Sequence, residues 1–284
     1  MLQCRIFCWL LLLTSACSSI AQPQPQPSLK EQAWQLLHTG VKEDNTEKRT
    51  TAVRVLSLLT GDKEAVKLAE DALQDKKPEV RAAGALSLGE LHSTASIPKL
   101  KGMVSDKETA VVIAAAHALV LLKDKSAYEV YYAILTGQRK SGRGLIAGQM
   151  DTFKDPKKVA TFGFEQAIGF VPFAGMGYDA VKVLRQDDSS PVRAAAAKVL
   201  ADDPDPASGQ ALLEAAIEDK NWVVRAACLE AVARRGDPAL LEKLGPMMED
   251  DKDSVKYTAA AAVLRLTAIS KTKSKPKNIK AHSG

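Results

Sequence analysis

The 284-residue chain is poor in aromatic side chains, at 5% of residues. That leaves little material for the apolar, aromatic-lined pockets that usually hold small molecules. Of its four cysteines, Cys4, Cys8 and Cys17 fall within the first 21 residues, so only Cys228 stands beyond them. One thiol excludes an intrachain disulfide framework and a cysteine-ligated metal centre. A buried, inert thiol is expected, because Cys228 follows Ala227 on an apolar helix face. The four histidines (His38, His92, His117, His282) are scattered, with no pair at metal-ligand spacing. No Gly-x-Ser-x-Gly elbow occurs, and the glycine-rich run from Gly142 to Gly148 lacks the Gly-Lys-Ser/Thr ending of a phosphate loop. The carboxylates Glu249, Asp250, Asp251 and Asp253 cluster at a turn, where capping and solvation account for them. Sustained apolar/polar alternation is also missing, which argues against strands. The expectation is a protein without catalytic residues, cofactor or metal.

What the chain does have is a period of about 31 residues. Aspartates recur at Asp44, Asp75, Asp106, Asp187, Asp219 and Asp250. A valine follows five residues later at Val80, Val111, Val192, Val224 and Val255, and Arg49 takes that place in the first, weaker copy. The next residue is basic at Arg81, Arg193, Arg225 and Lys256, whereas Val112 stands there in the Asp106 copy. A repeat of this length means a solenoid, in which each unit buries its apolar face only by stacking on neighbours. Each period reads as two helices. In residues 62–91, Ala65, Leu68, Ala69, Ala72 and Leu73 form one stripe at helical spacing. Asp75-Lys76-Lys77 makes a polar turn, and Pro78 suits the first turn of the second helix. Val80, Ala83, Gly84, Ser87, Leu88 and Leu91 mark one face of that helix, and Ala82, Leu86 and Gly89 another. A helix apolar on two sides must be covered on both.

The segments Asp75–Leu88, Asp187–Leu200, Asp219–Val232 and Asp250–Val263 resemble the HEAT-repeat family in its short bacterial, PBS-lyase-like form. Asp106–Leu119 matches less well. The resemblance implies an all-α solenoid of stacked helical hairpins in a right-handed superhelix. It also implies scaffold roles for Asp75 and Arg81, Asp187 and Arg193, and Asp219 and Arg225: the aspartate capping free N–H groups at a helix start, the arginine bridging adjacent turns with its planar fork. Iron-dependent hydroxylases built on such repeats use adjacent His-Glu pairs, which do not occur here. Some HEAT-like proteins attach bilin chromophores, so a lyase or oxidoreductase accessory is one alternative on family grounds.

Residues 1–21 read as a secretory signal: Arg5, an apolar run from Ile6 to Leu13, and a small-x-small site at Ser19-Ile20-Ala21. Leu13-Thr14-Ser15-Ala16-Cys17 offers a second reading, a lipoprotein box with Cys17 lipidated. Both predict an exported protein, periplasmic or secreted. Residues 22–28 hold a Pro/Gln linker, 29–270 the solenoid, and 271–284 a disordered tail with five lysines and no acids. Without Arg5 and that tail, 33 basic residues face 34 acidic ones, so the formal charge of +5 belongs to the ends. Nucleic acid is not an expected partner of an exported protein.

The period breaks between Asp106 and Asp187, with the extra residues in about 138–175. Phe153, Phe162, Phe164, Phe170 and Phe173 are the only phenylalanines beyond the signal, and eight of the 17 glycines lie in 137–177. Arg139, Lys140 and Arg143 open the stretch, and Pro172 should end a helix begun near Lys157. Three uses remain open: a plug between repeats, a patch for an unknown protein partner carried by Arg139, Lys140, Arg143, Phe162, Phe164, Phe170 and Phe173, or peripheral membrane contact through 162–177. The expected function is an exported scaffold mediating protein–protein interaction. A membrane-surface adaptor tethered through Cys17 or 162–177 is the alternative.

Overall fold

The computed structural model describes residues 27–136 and 189–273. Among these residues there is no strand, and the chain forms the helical pairs that the period predicts. The first pair is α1 (Leu29–Gly40) and α2 (Thr46–Val55), followed by a 3₁₀ turn, Leu56–Leu58. Then come α3 (Lys63–Ala72) with α4 (Pro78–Glu90), α5 (Ile97–Met103) with α6 (Thr109–Leu121), and α7 (Ser126–Thr136). The C-terminal run holds α8 (Ser190–Leu200), α9 (Pro206–Glu218) with α10 (Trp222–Arg235), and a 3₁₀ segment (Pro238–Glu249) paired with α11 (Asp253–Lys273). The last helix runs three residues past the boundary expected at 270.

Local chemistry sets these boundaries. Ser28 accepts from the Glu31 amide while Glu31 returns a bond to the Ser28 amide, a capping box that starts α1. Asp62 accepts from the Glu64 and Ala65 amides at the start of α3. Pro78 occupies the first turn of α4, where its absent N–H costs nothing. Gly236 closes α10 in the left-handed region, at φ 68°. Pro246 lies inside the Pro238–Glu249 segment, which holds a tighter coil in place of an α-helix.

The two-faced helices are covered on both sides, as their composition requires. Val111 to Ala116 form an unbroken buried run in α6, and Tyr257 to Leu264 another in α11. Each second helix packs on the second helix of the next repeat, α4 on α6 for example, with the first helix of each pair flanking it. Gly89 allows that approach: a Cβ there would lie 2.8 Å from the Ala118 Cα. Of the repeat valines, Val80, Val111, Val224 and Val255 are buried, but Val192 is 69% exposed. It sits on α8, where the described C-terminal run begins and no described layer precedes it.

The stacking order departs from the chain order at one place. Contacts pass from α8 to α10 to α11, then from α11 to α1 and α2, and onward through α4 and α6 to α7. The last described helix is thus the structural neighbour of the first described pair, and one apolar core runs through both halves. α7 and α8, the helices that flank 137–188 in sequence, stand at the two ends of this series.

Candidate interaction surface

The repeat's charged residues form a ladder between layers. Arg81 donates from Nε and Nη2 to the two oxygens of Asp106, both at 2.8 Å, and from Nη1 to the Asp75 carbonyl at 3.0 Å. Arg225 repeats this with Asp250 at 2.9 Å for both bonds, and with the Asp219 carbonyl at 3.0 Å. Arg193 holds Asp219, and Arg49 holds Asp75, through the same two-pronged contact. The arginine therefore bridges turns as expected, reaching the aspartate of the following repeat. The aspartate does not cap its helix. Asp75 accepts from the amide of Lys77, which is itself the N-cap residue, and Asp106 does the same with Glu108. It stands two residues ahead of the N-cap and fixes the turn before the helix, while the arginine fork engages both of its oxygens across the layer. Asp187 lies outside the described residues.

The first copy needs a change of register. Arg49 donates to the carbonyls of Glu43 and Asp44, as Arg81 does to Asp75 and Lys76. Arg49 is thus the ladder arginine, not the valine's counterpart, and Glu43 takes the repeat aspartate's place. The pattern misplaced it because Asp44 lies one residue late.

Electrostatics follow from this geometry. Burial pushes the Asp75 and Asp106 carboxyls up, but the arginine fork, the turn amide and nearby cations outweigh it and hold both below the ordinary value. Hydrogen bonding to these carboxylates raises Arg49 and Arg81 in turn, against burial. Such pairs keep their charges fixed and fasten layers; they are not poised to pass protons near neutral pH.

With the ladder turned inward, the outward stripe of the second helices carries the variation. Five residues beyond each ladder position, in stacking order, stand Lys198, Glu230, Ala261, Arg54, Leu86 and His117. Lys198 and His117 are exposed, Glu230, Arg54 and Leu86 are half-buried, and Ala261 is buried. The position that packs is nearly constant, while the one that faces out changes chemistry at each layer.

The junction between the two halves is built differently from the other layers. Lys256 replaces the ladder arginine and pairs with Asp253 on its own helix at 3.0 Å, not with a residue of the next layer. Lys48 reaches across to Asp253 at 3.3 Å. Tyr257 packs beside Gly40 and Ala52. Arg265 donates from Nε to the Ala233 carbonyl and from Nη1 to the Leu58 carbonyl, both at 2.7 Å, tying α11 to the layers on either side. Sequence reasoning passed over Arg265 and Lys48. The 31-residue offset from Arg234 to Arg265 was the available signal.

Other expectations can be placed. Cys228 is buried, and burial pushes its thiol up to about 12. His117 faces outward. His38 lies 3.6 Å from Glu64 and stacks obliquely on Trp34, both contacts on a half-exposed surface. Asp250, Asp251 and Asp253 are engaged with Arg225, Lys252, Lys48 and Lys256. Among the described residues no group of three or more His, Cys, Asp or Glu is placed to hold a metal ion. Cys17 and the cluster Arg139, Lys140, Arg143, Phe162, Phe164, Phe170 and Phe173 lie outside the described residues.

Residues 35–130 and 179–265 match the family model of HEAT repeats, more than half of the chain. No curated protein matches the sequence significantly. Among solved structures, human deoxyhypusine hydroxylase in complex with glycerol aligns at 19% identity over 86% of this chain and 93% of its own, with a TM-score of 0.30. The complex of CpcE and CpcF of phycocyanin lyase from Nostoc sp. PCC7120 aligns at 19% identity over 89% and 97%, with a TM-score of 0.33. Scores at that level carry no inference about this chain.

Proposed function

The chain belongs to the HEAT-repeat family, and we propose that this helical-repeat scaffold works by binding another protein along the outward stripe of its second helices, without catalysis of its own. The observation that carries the reading is the division of labour between neighbouring positions. Arginine recurs where layers are fastened, and Lys198, Glu230, Arg54, Leu86 and His117 differ where side chains meet solvent. A rigid array with a chemically distinct residue per layer suits recognition of an extended partner, since many small contacts add without ordering the scaffold. The break at about 138–175, with Arg139, Lys140, Arg143 and its phenylalanines, is proposed as a second contact region. Export directed by residues 1–21 belongs to the same proposal.

The test is capture of partners from an envelope fraction with the native protein and with Leu86→Glu plus His117→Glu. The double variant is expected to keep its helical circular dichroism and lose the captured protein. Undiminished recovery by a folded variant would remove the stripe from the proposal. Mass spectrometry of the mature protein tests export: a chain beginning at Gln22 fits cleavage after Ala21, and a lipidated Cys17 fits the tethered alternative.

A further inference from the structure

The cationic patch at the junction between halves has no use in the proposal above. Arg265 is half-buried and bonded only to two carbonyls and, at 3.4 Å, to the Thr60 hydroxyl. No carboxylate among the described residues pairs with it, and no described residue takes its Nη2 edge. The carbonyls it holds end α10 and the turn after α2, where partial negative charge gathers. They fix the plane of the guanidinium without neutralising it. Arg234, at the equivalent position one layer back, is close enough for its charge to act on Arg265. Burial first, and that like charge second, lower the Arg265 pKa below the ordinary arginine value. Arg234 is held by Glu230 at 2.9 Å and is half-exposed. Glu230 pairs with Arg234 alone, and the exposed Thr60 hydroxyl, which accepts from Arg265, has its own proton left to donate.

We propose that Arg265, Arg234 and Thr60 form an oxyanion site that takes a carboxylate or phosphate group. The planar edge of Arg265 offers directional N–H donors to two oxygens of such a group, and Arg234 supplies the second charge. Because Arg265 ties α11 to the α1–α2 layer, a bound anion would also tighten the junction. The site touches the outward stripe through Glu230, which holds Arg234, but thermal stability in phosphate reads the site apart from partner capture.

Thermal unfolding of the full chain tests it. In 20 mM inorganic phosphate the midpoint is expected to rise by about 2–4 °C over sodium chloride at equal ionic strength, as a ligand binding the folded state in the millimolar range does. Arg234→Gln leaves the junction bonds intact. It should keep its midpoint in chloride and lose at least half of the rise. An equal rise in native and variant would be solute exclusion from the surface and would overturn the site. A parallel arm with a tetraglutamate peptide separates the sources: a larger rise with peptide assigns an acidic protein segment, and a larger rise with phosphate assigns a phosphate group. A rise with neither overturns the proposal.

Discussion

Arg81→Met cuts the ladder at its best-formed rung. The Arg81 and Asp106 side chains are only 9% and 10% exposed, so water cannot replace what is lost. The substitution removes both bonds to Asp106 and the bond to the Asp75 carbonyl, while the methionine keeps most of the buried stem. Removing one partner of a buried pair costs about 3–5 kcal/mol, most of it from the charge left behind. Asp106 retains the Glu108 amide at 2.9 Å, which places the expected loss at about 3–4 kcal/mol. For a chain of this size that is roughly a 10 °C fall in midpoint.

Denaturation followed by far-ultraviolet circular dichroism, repeated across pH, checks both the size and its origin. In the native protein the Asp106 carboxyl lies below its ordinary value. Its contribution is therefore fully present above about pH 4 and is lost as pH falls through the lower folded value. In the variant the fork is gone and burial remains, so the carboxyl takes up a proton more readily and the penalty disappears. The gap between native and variant should be widest at pH 6 and narrow toward pH 3. The double variant Arg81→Met with Asp106→Leu should recover most of the loss, since no buried charge remains. The Asp106 copy offers a precedent: Val112 fills the ladder position and is buried. A gap under about 1 kcal/mol at pH 6, or one that stays constant with pH, would refute the reasoning.

Three further outcomes follow from local geometry. Gly40→Ala would place a Cβ 2.7 Å from the Tyr257 ring and 2.8 Å from the Ala52 Cβ; a loss of about 1–3 kcal/mol in urea unfolding is expected, and a neutral result would mean the junction yields easily. Lys123 ends α6 in the left-handed region at φ 59°, with the Asp124 amide donating to the Leu119 carbonyl, so Lys123→Gly should raise stability by about 1 kcal/mol in the same assay. Cys228 is 2% exposed with its thiol pushed up to about 12; it should resist a thiol reagent at pH 8 and react fully in denaturant, whereas rapid labelling of the folded protein would contradict its burial.

Much of the fold was legible because a repeat states its packing rule several times. The two-faced composition of residues 80–91 required neighbours on both sides, and the ladder arginines Arg81, Arg193 and Arg225 announced themselves by recurring beside the repeat valine. Register was harder. Arg49 was misplaced because the first copy carries Glu43 where the others carry aspartate, and only the bond from Arg49 to the Glu43 carbonyl settles the alignment. Val192 shows a different limit: its pattern is that of a core valine, but burial depends on a neighbour, and α8 has no described layer on that side.

The junction between the halves could not be read at all, and the reason is physical. Periodicity tells which face of a helix is apolar but not which repeat will cover it, since similar faces are interchangeable to first order. What distinguishes this junction is its departures from the pattern. Lys256 in place of arginine cannot form the planar two-pronged contact, and it turns back to Asp253. Glu43 in place of aspartate lacks the repeat's geometry as an acceptor. Each change reads as a weak copy at one end of the chain. Together they mark where the first and last described layers meet, with the cross-layer tie transferred to Arg265, 207 residues from the carbonyl of Leu58 that it holds. That tie uses backbone acceptors and leaves the guanidinium charge uncompensated, unlike every Arg–Asp rung of the described ladder. The same departure that hid the junction from the sequence therefore leaves a guanidinium with no carboxylate partner among the described residues, and an anion is the chemistry that would complete it.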